Sequence, residues 1–291
     1  MIKRSGLDKT FNIANTILLL IISLLTILPL YYIVIISITS PTQYLLTKGK
    51  LLFPTQFSFD AYRLVLFSHA FKNSILVSSF LVVVGTALSL AVTTAFAYGI
   101  SKRRLVGRKA LIFITLFTFL FNPGIIPNYM IVRDFGLINS IWSLILPPLA
   151  RCFYMLLMKC FFENIPAELE ESAKIEGCSD VGVFFKIILP VSYAALATFG
   201  LFYAVNYWNN YFDAVLYIND PDKWPLPIFI RNLVILSSTA DITELSDSLK
   251  SIPAEGIKMA TVVLGTVPIL VVYPFIQKYF ATGVMMGSVK G

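Results

Sequence analysis

Six long stretches without a single Lys, Arg, Asp or Glu dominate this chain of 291 residues. They cover Thr10–Thr47, Asn73–Ser101, Ala110–Val132, Phe135–Ala150 (resuming after Arg151 to Met158), Ile187–Phe212 and Met259–Gln277. A helix needs about 20 apolar residues to cross a bilayer. The stretches predict an all-α membrane protein, a single domain over 1–291, with six transmembrane helices at about 12–38, 74–100, 110–130, 139–161, 190–213 and 258–279.

The composition agrees with a multi-pass membrane protein. Hydrophobic residues make up 57% of the chain and charged residues 13%, whereas a soluble domain carries about 25% charged residues. A soluble protein of this size has too little interior to cover so much apolar surface. The first stretch follows Lys3, Arg4 and Lys9 like a signal peptide, but it is too long and lacks a small-residue cleavage site, so we interpret it as a retained span.

The distribution of positive charge predicts the orientation of the chain. Five of the nine residues in the short loop 101–109 are basic. Because Lys and Arg concentrate in cytoplasmic loops, both termini are expected in the cytoplasm. The net charge of +7 is then explained by topology, and no nucleic-acid partner is expected.

Residues for catalysis or metal binding are sparse. Cys152, Cys160 and Cys178 are odd in number and form no CxxC pair, so neither a disulfide framework nor a zinc site is indicated. His69 is the single histidine, and no phosphate-binding GxxxxGK[ST] loop occurs. We expect no catalytic residue, no metal site and no cofactor bound by this chain.

The segment 163–190 stands apart from the apolar stretches because it holds six of the 16 acidic residues. Pro166 suits a first helical turn, and Gly177 suits the left-handed residue that ends a helix. Ser179 or Asp180 can cap a second helix, which should end before Pro190.

The first of these helices has a narrow face of small residues. Leu169, Ala173 and Glu176 recur at helical spacing, and together they offer a surface that a partner could hold. Two short helices joined rigidly to a span could transmit the movement of a bound partner to that span. A merely solvated acidic loop is the alternative that periodicity leaves open.

A spaced motif runs through this segment: Glu171-Ser172-Ala173, Gly177, Ile187, Leu189 and Pro190. It resembles the signature of permease subunits of ATP-binding-cassette importers, with Ser172 in place of an alanine. The tail 277–291 and Trp224–Pro227 are similar to the second permease subunit of maltose-type carbohydrate importers, in the subgroup for complex oligosaccharides.

The resemblance implies a type I ABC importer permease fold in a bacterial cytoplasmic membrane. It implies a homologous second permease, two cytoplasmic ABC ATPases that bind ATP and Mg, an extracellular solute-binding protein and a carbohydrate substrate. It also implies a set of residues that couple to the ATPase: Glu170, Glu171, Ser172, Ala173, Gly177, Ile187, Leu189 and Pro190. A non-carbohydrate importer permease, a channel or an intramembrane enzyme are the alternatives.

Arg151 is a charge within a predicted span, which costs about 2.5–3.5 kcal/mol on insertion scales. It either lines the sugar path and favours acidic sugars, or it pairs with Asp213 or with the partner permease. Trp208, Asn209, Asn210 and Asp213 form a polar-aromatic cluster in the fifth stretch. Such groups bind sugars, while interfacial anchoring is the alternative for Trp208.

Overall fold

The computed structural model describes residues 6–47, 49–236, 255–268 and 270–271. Apart from one isolated β-bridge between Thr39 and Phe57, the regular structure of these residues is helical. The α-helices are α1 Gly6–Ile38, α2 Pro41–Thr47, α3 Asp60–Phe67, α4 His69–Phe80, α5 Thr86–Ser101, α6 Arg108–Leu120, α7 Ile125–Asp134, α8 Cys152–Glu163, α9 Ala167–Ile175, α10 Asp180–Val183, α11 Leu189–Val191, α12 Tyr193–Trp208, α13 Phe212–Tyr217 and α14 Leu226–Leu236. Residues 255–268 are also helical.

Two helices are long and apolar enough to cross a membrane without interruption. They are Phe11–Ile38 within α1 and His69–Ser101, which joins α4 to α5 through the π-helical turn Leu81–Gly85. Both coincide with the first two predicted spans. Pro29 lies inside α1 without ending it.

Three further spans are bent at short breaks. The angles are 115° between α6 and α7, 46° between Ile141–Leu149 and α8, and 80° between Asp180–Val191 and α12. If each bent pair is one span, the described residues contain up to five. The predicted count of six is not reached among the described residues, because the predicted span 258–279 continues past residue 271, the last one described. The tail 277–291 lies wholly outside the described residues.

The sharpest bend has a local cause. Between α6 and α7 the chain reads Asn122-Pro123-Gly124. Proline removes a helical hydrogen-bond donor, and Gly124 adopts a φ of 89° that other residues resist. The Asn122 side chain accepts a hydrogen bond of 3.0 Å from the Gly124 amide and holds the turn.

The described part of one compact unit comprises residues 6–47, 49–68, 230–236 and 255–267. This part is organised by polar contacts at the end of α1. The Gln43 side-chain oxygen accepts hydrogen bonds from the amides of Thr55 and Gln56, at 3.0 and 2.9 Å. The hydroxyls of Ser37 and Tyr62 lie 2.6 Å apart. These bonds order the segment between α1 and α3.

The described part of the second unit comprises residues 69–229, 268 and 270–271. Here α5 packs against both α8 and α12. Two tyrosines of α12 reach across to polar residues of α5: Tyr203 to Thr93 at 2.7 Å and Tyr207 to Ser89 at 2.9 Å, between hydroxyl oxygens. Since both tyrosines are almost fully buried, the bonds satisfy their hydroxyls inside the core.

Candidate functional site: the loop helices and a polar cleft

The acidic segment 163–190 begins as the sequence predicts. Pro166 precedes α9 as its capping residue, Glu168 and Glu170 occupy the first turn, and Lys174 lies in the last turn. Each charge has the sign that the helix dipole favours at its end. The first part of the segment is therefore an ordered helix, α9, rather than an irregular acidic loop.

The end of α9 is a turn in the left-handed backbone region that favours glycine. Gly177 has a φ of 86°. The Cys178 amide donates to the Ala173 carbonyl at 2.9 Å, and the Gly177 amide donates to the Lys174 carbonyl at 3.0 Å. This pair of bonds is the Schellman motif, which closes a helix when the residue after it is left-handed.

The second helix of the segment departs from its predicted end. Ser179 caps it, because its hydroxyl accepts a hydrogen bond of 3.1 Å from the Gly182 amide. The helix does not stop before Pro190, as expected, but continues to Val191 through the π-helical turn Phe184–Ile188. A wider turn just before Pro190 accommodates the missing amide donor of the proline.

The predicted small-residue face of α9 contains both a buried residue, Ala173, and an exposed residue, Leu169. Ala173 is only 5% exposed and packs in a cluster of buried residues that includes Met158, Phe162, Val183 and Ile188. The expectation that this residue offers a surface to a partner is wrong, because its side chain holds α9 onto α8 and the following helix. Ile187 packs partly buried against the same cluster.

The outward face of the segment combines carboxylates with large apolar side chains. Glu171 and Ser172 are exposed. Leu169, Ile175, Val181 and Phe185 are 42%, 88%, 66% and 60% exposed. Leu169 belongs to the face that the sequence predicts, whereas sequence reasoning missed Ile175, Val181 and Phe185, although their type alone marks them as unusual on a solvated loop.

An ion-pair network joins the acidic segment to basic residues of the loop 101–109, to Lys159 of α8 and to Lys174 of α9. Its pairs are Lys102–Glu170, Arg104–Asp180, Arg108–Glu163, Lys159–Glu163 at 2.7 Å and Lys174–Asp180 at 2.9 Å. Lys102 also lies 4.2 Å from the centre of the Tyr98 ring, where a cation is attracted to the aromatic face. The network fixes the position of α9 and α10 relative to α5 and α8.

The ion pairs alter the acidity of their carboxyl groups. The pKa of Asp180 lies below its usual range because of hydrogen bonds from Lys174 and then from Arg104. Partial burial acts to raise the pKa of Glu163, but Lys159 and Arg108 together lower it. Both carboxylates are thus held in their charged form.

A separate polar cleft lies where Arg151 precedes α8. It is a small, partly open cleft lined by Pro148, Arg151, Tyr203, Asn206, Tyr207 and Asn210. Two of the predicted path residues, Arg151 and Asn210, are therefore brought together. Asn206 was missed, although it lies in the last turn of α12, four residues before Asn210.

The other predicted path residues do not line this cleft. The Asn209 side chain donates back to the Val205 carbonyl at 3.0 Å. The Asp213 carboxylate interacts with the Asn210 side chain and is attracted electrostatically by Arg151. No ion pair joins Asp213 and Arg151 among the described pairs. Trp208 is the last residue of α12 and half-buried.

No group of three or more His, Cys, Asp or Glu suited to a metal ion is present in the part of the chain that the structure describes. Cys152, Cys160 and Cys178 are free thiols. The chemistry of both sites is thus that of ion pairs, amides and apolar contacts.

Comparison with known proteins shows which family the chain resembles. Residues 87–286 match the family of binding-protein-dependent transport system inner membrane components. The chain is 46% identical over 286 residues to the polygalacturonan/rhamnogalacturonan transport system permease protein YtcP of Bacillus subtilis, covering 98% of this chain and 99% of that protein.

Two solved structures share the fold. A chain of a bacterial ABC transporter involved in the import of the acidic polysaccharide alginate is 33% identical, with a TM-score of 0.90, over 96% of this chain and 100% of that one. A chain of a bacterial alginate ABC transporter in complex with a pentasaccharide-bound periplasmic protein is 18% identical, with a TM-score of 0.55, over 92% and 93%. The predicted importer-permease fold is confirmed.

Proposed function

Since the chain belongs to the family of binding-protein-dependent transport system inner membrane components, we propose that it is a permease subunit of an ATP-driven importer of oligosaccharides. It forms half of a translocation path with a homologous second permease. Two cytoplasmic ATPases bind ATP and Mg beneath it, and an extracellular solute-binding protein delivers the sugar. This chain carries no catalytic step itself, and both of its termini lie in the cytoplasm.

The attachment of α9 to the spans is the observation that carries the coupling role. Ala173 is buried against α8, and Lys102 at the end of α5 pairs with Glu170. A force on the exposed face of α9 therefore reaches two spans without a flexible joint. Such a connection is what a bistable bundle driven by a partner needs.

Within the segment, the residues have different parts in this proposal. Glu171, Ser172 and Ile175 face outward and contact the ATPase. Ala173, Ile187 and Gly177 hold the geometry of the two helices, and Glu170 joins the ion-pair network. Leu189 and Pro190 connect the segment to α12, which begins the next span.

The names of similar proteins support an acidic substrate. Polygalacturonan and alginate are polymers of sugar acids, and they appear in the names of a relative and of a structural neighbour. We therefore assign to this importer oligosaccharides that contain uronic acids. Arg151, Asn210, Asp213, Trp208 and Asn209 lie near the proposed path.

Co-purification tests the assembly. A tagged copy of this chain, extracted from its native membrane in mild detergent, is expected to carry with it a second permease and an ATPase. Ile175→Glu should lose the ATPase while keeping the second permease, because it places a charge on the exposed apolar face of α9. Phe135→Glu is the matched control, since Phe135 is 76% exposed outside the segment.

Two outcomes would overturn the proposal. One is that the chain purifies alone from well-solubilised membranes at every salt concentration. The other is that cells lacking this chain take up tri-galacturonate and a neutral trisaccharide as fast as the parent strain.

A further inference from the structure

Arg151 places a cation in the polar cleft, and no carboxylate forms an ion pair with it in the part of the chain that the structure describes. Its Nε atom is buried and has no hydrogen-bond partner among the described residues. The ion pairs found in the described part of the chain do not include it. A charged residue within a membrane span is costly, so such residues face the bundle interior or a water-filled cavity and mark functional sites.

Of the residues that line the cleft with Arg151, Tyr203 contacts its backbone, and none carries a charge that would neutralise its guanidinium. The Tyr203 hydroxyl accepts a long hydrogen bond of 3.4 Å from the Arg151 backbone amide, and it also meets Thr93. The Tyr207 hydroxyl donates to the Ile145 carbonyl at 3.2 Å. Both hydroxyls are thus already bonded in the core. The Asn206 amide nitrogen donates to the Tyr154 hydroxyl at 3.1 Å and to the Phe202 carbonyl at 2.7 Å, which leaves the guanidinium to meet a carboxylate and the side-chain oxygen of Asn206 to accept from a sugar hydroxyl.

The geometry points to a binding site for a carboxylate. We propose that Arg151, with Asn206 and Asn210, forms the subsite that binds the carboxylate group of a uronic acid residue as the oligosaccharide passes through this permease. The inference rests on the proposed function, and it adds the residues that select for charge. A guanidinium presents paired N–H donors that match the two oxygens of a carboxylate, while amides bind sugar hydroxyls.

The position of Asp213 agrees with this assignment. Its carboxylate interacts with Asn210 and is attracted by Arg151, but no ion pair among the described residues joins it to the guanidinium. A ligand carboxylate would supply the partner that Arg151 lacks. The competing arrangement, in which a carboxylate of the second permease neutralises Arg151, predicts a different experimental result.

Equilibrium binding to the purified transporter, with both permeases and the ATPases but without the solute-binding protein, tests the subsite. The probes are tri-galacturonate and its fully methyl-esterified form, which has the same backbone and no charge. The intact transporter is expected to bind the acidic probe more tightly. Arg151→Gln should weaken acidic binding by about tenfold or more, in keeping with a charged hydrogen bond, and leave the neutral probe unchanged.

Two further variants keep the test decisive if Arg151→Gln assembles poorly. Asn210→Asp retains Arg151 and nearly the same shape, but adds a negative charge to the cleft, so it should weaken only acidic binding. Arg133→Gln is the matched control, because Arg133 is exposed and pairs with its neighbour Asp134. It should change neither probe.

The outcomes separate the subsite from the importer function. Equal loss of both probes in Arg151→Gln, or equal binding of both probes by the intact transporter, would overturn the subsite and favour a structural pairing of Arg151. Binding of neither probe, in a transporter that still imports trisaccharides in cells, would overturn the subsite alone. Failure to import any oligosaccharide would overturn the proposed function itself.

Discussion

The ring of Tyr207 lies directly against the backbone of Gly85. A Cβ atom built on Gly85 would approach three ring carbons at 2.6, 2.7 and 2.8 Å. Tyr207 is only 2% exposed, so the ring has no free space into which it can retreat. Gly85 ends the π-helical turn between α4 and α5, and this contact lets α12 approach that turn closely.

Gly85→Ala is therefore expected to destabilise the permease. Inserting a methyl group into a packed core costs about 1–3 kcal/mol. The loss should appear as a lower melting temperature of the detergent-purified transporter. Gly99→Ala is the matched control, because Gly99 lies in the same helical run and a Cβ there meets nothing within 4 Å. A similar loss of stability in both variants would contradict the proposed contact.

Gly177→Val should abolish transport while leaving membrane insertion intact. A left-handed backbone costs a residue with a Cβ about 1–2 kcal/mol, and a β-branched residue resists it further. The end of α9 would open and displace Glu171 and Ile175. Uptake of labelled oligosaccharide and the amount of permease in the membrane should be measured together.

Asparagine supplies the control at this position. Gly177→Asn keeps access to the left-handed region, so it should retain most of the uptake. Nothing lies within 4 Å of a Cβ at Gly177, so side-chain size alone should have little effect. Normal uptake by a correctly inserted Gly177→Val protein would refute the role of the turn.

Local sequence determines the parts of this fold that could be predicted. Long apolar runs specify α1 and the helix His69–Ser101, since in lipid a backbone must satisfy its hydrogen bonds within itself. Gly177 and Ser179 act on neighbouring amides, so their roles also follow from short spacing. These features need no knowledge of which helices lie side by side.

The positions of helix bends, and the contacts between residues far apart in the chain, could not be predicted from local sequence. Pro29 lies within the uninterrupted α1, whereas Pro123 lies at a bend of 115°. The difference depends on Gly124 and on the surroundings of each proline rather than on proline itself. In the same way, Lys102 and Glu170 are 68 residues apart, so the basic loop could be interpreted only as a topology signal.

Removal of one charge from the Lys102–Glu170 ion pair gives a third test. Lys102 and Glu170 are partly buried, with side chains 20% and 16% exposed. Lys102→Met should cost about 1.5–3 kcal/mol, since it leaves the Glu170 carboxylate without a charged hydrogen bond. We expect loosened attachment of α9, faster protease cleavage of the segment and reduced uptake.

The reciprocal exchange Lys102→Glu with Glu170→Lys should recover part of the loss, because it restores opposite charges at the same pair of positions. Arg133→Gln should have little effect, since the exposed Arg133–Asp134 pair is worth at most about 1 kcal/mol. Failure of the exchange to recover any protection would indicate that the two side chains act independently.

The pH dependence of the segment provides the last test. The pKa of Asp180 lies below its ordinary value of 3.8, and that of Glu163 below its ordinary value of 4.5. A carboxyl group with a depressed folded-state pKa contributes stability above its unfolded pKa and loses it as the pH falls through the folded value. Attachment of α9 and α10 should therefore stay constant from neutral pH down to about pH 5 and weaken below about pH 4.

Hydrogen exchange of the amides in 163–190, measured on the purified transporter across this pH range and corrected for intrinsic exchange, would follow the attachment. Asp180→Asn removes the titrating group beside Arg104 and Lys174, so it should lower protection at neutral pH and flatten the dependence below pH 4. Asp134→Asn is the matched control, because Asp134 pairs only with exposed Arg133 in α7 among the described ion pairs. Protection that increased on acidification would contradict the network, since protonation can only remove the negative charges that hold it.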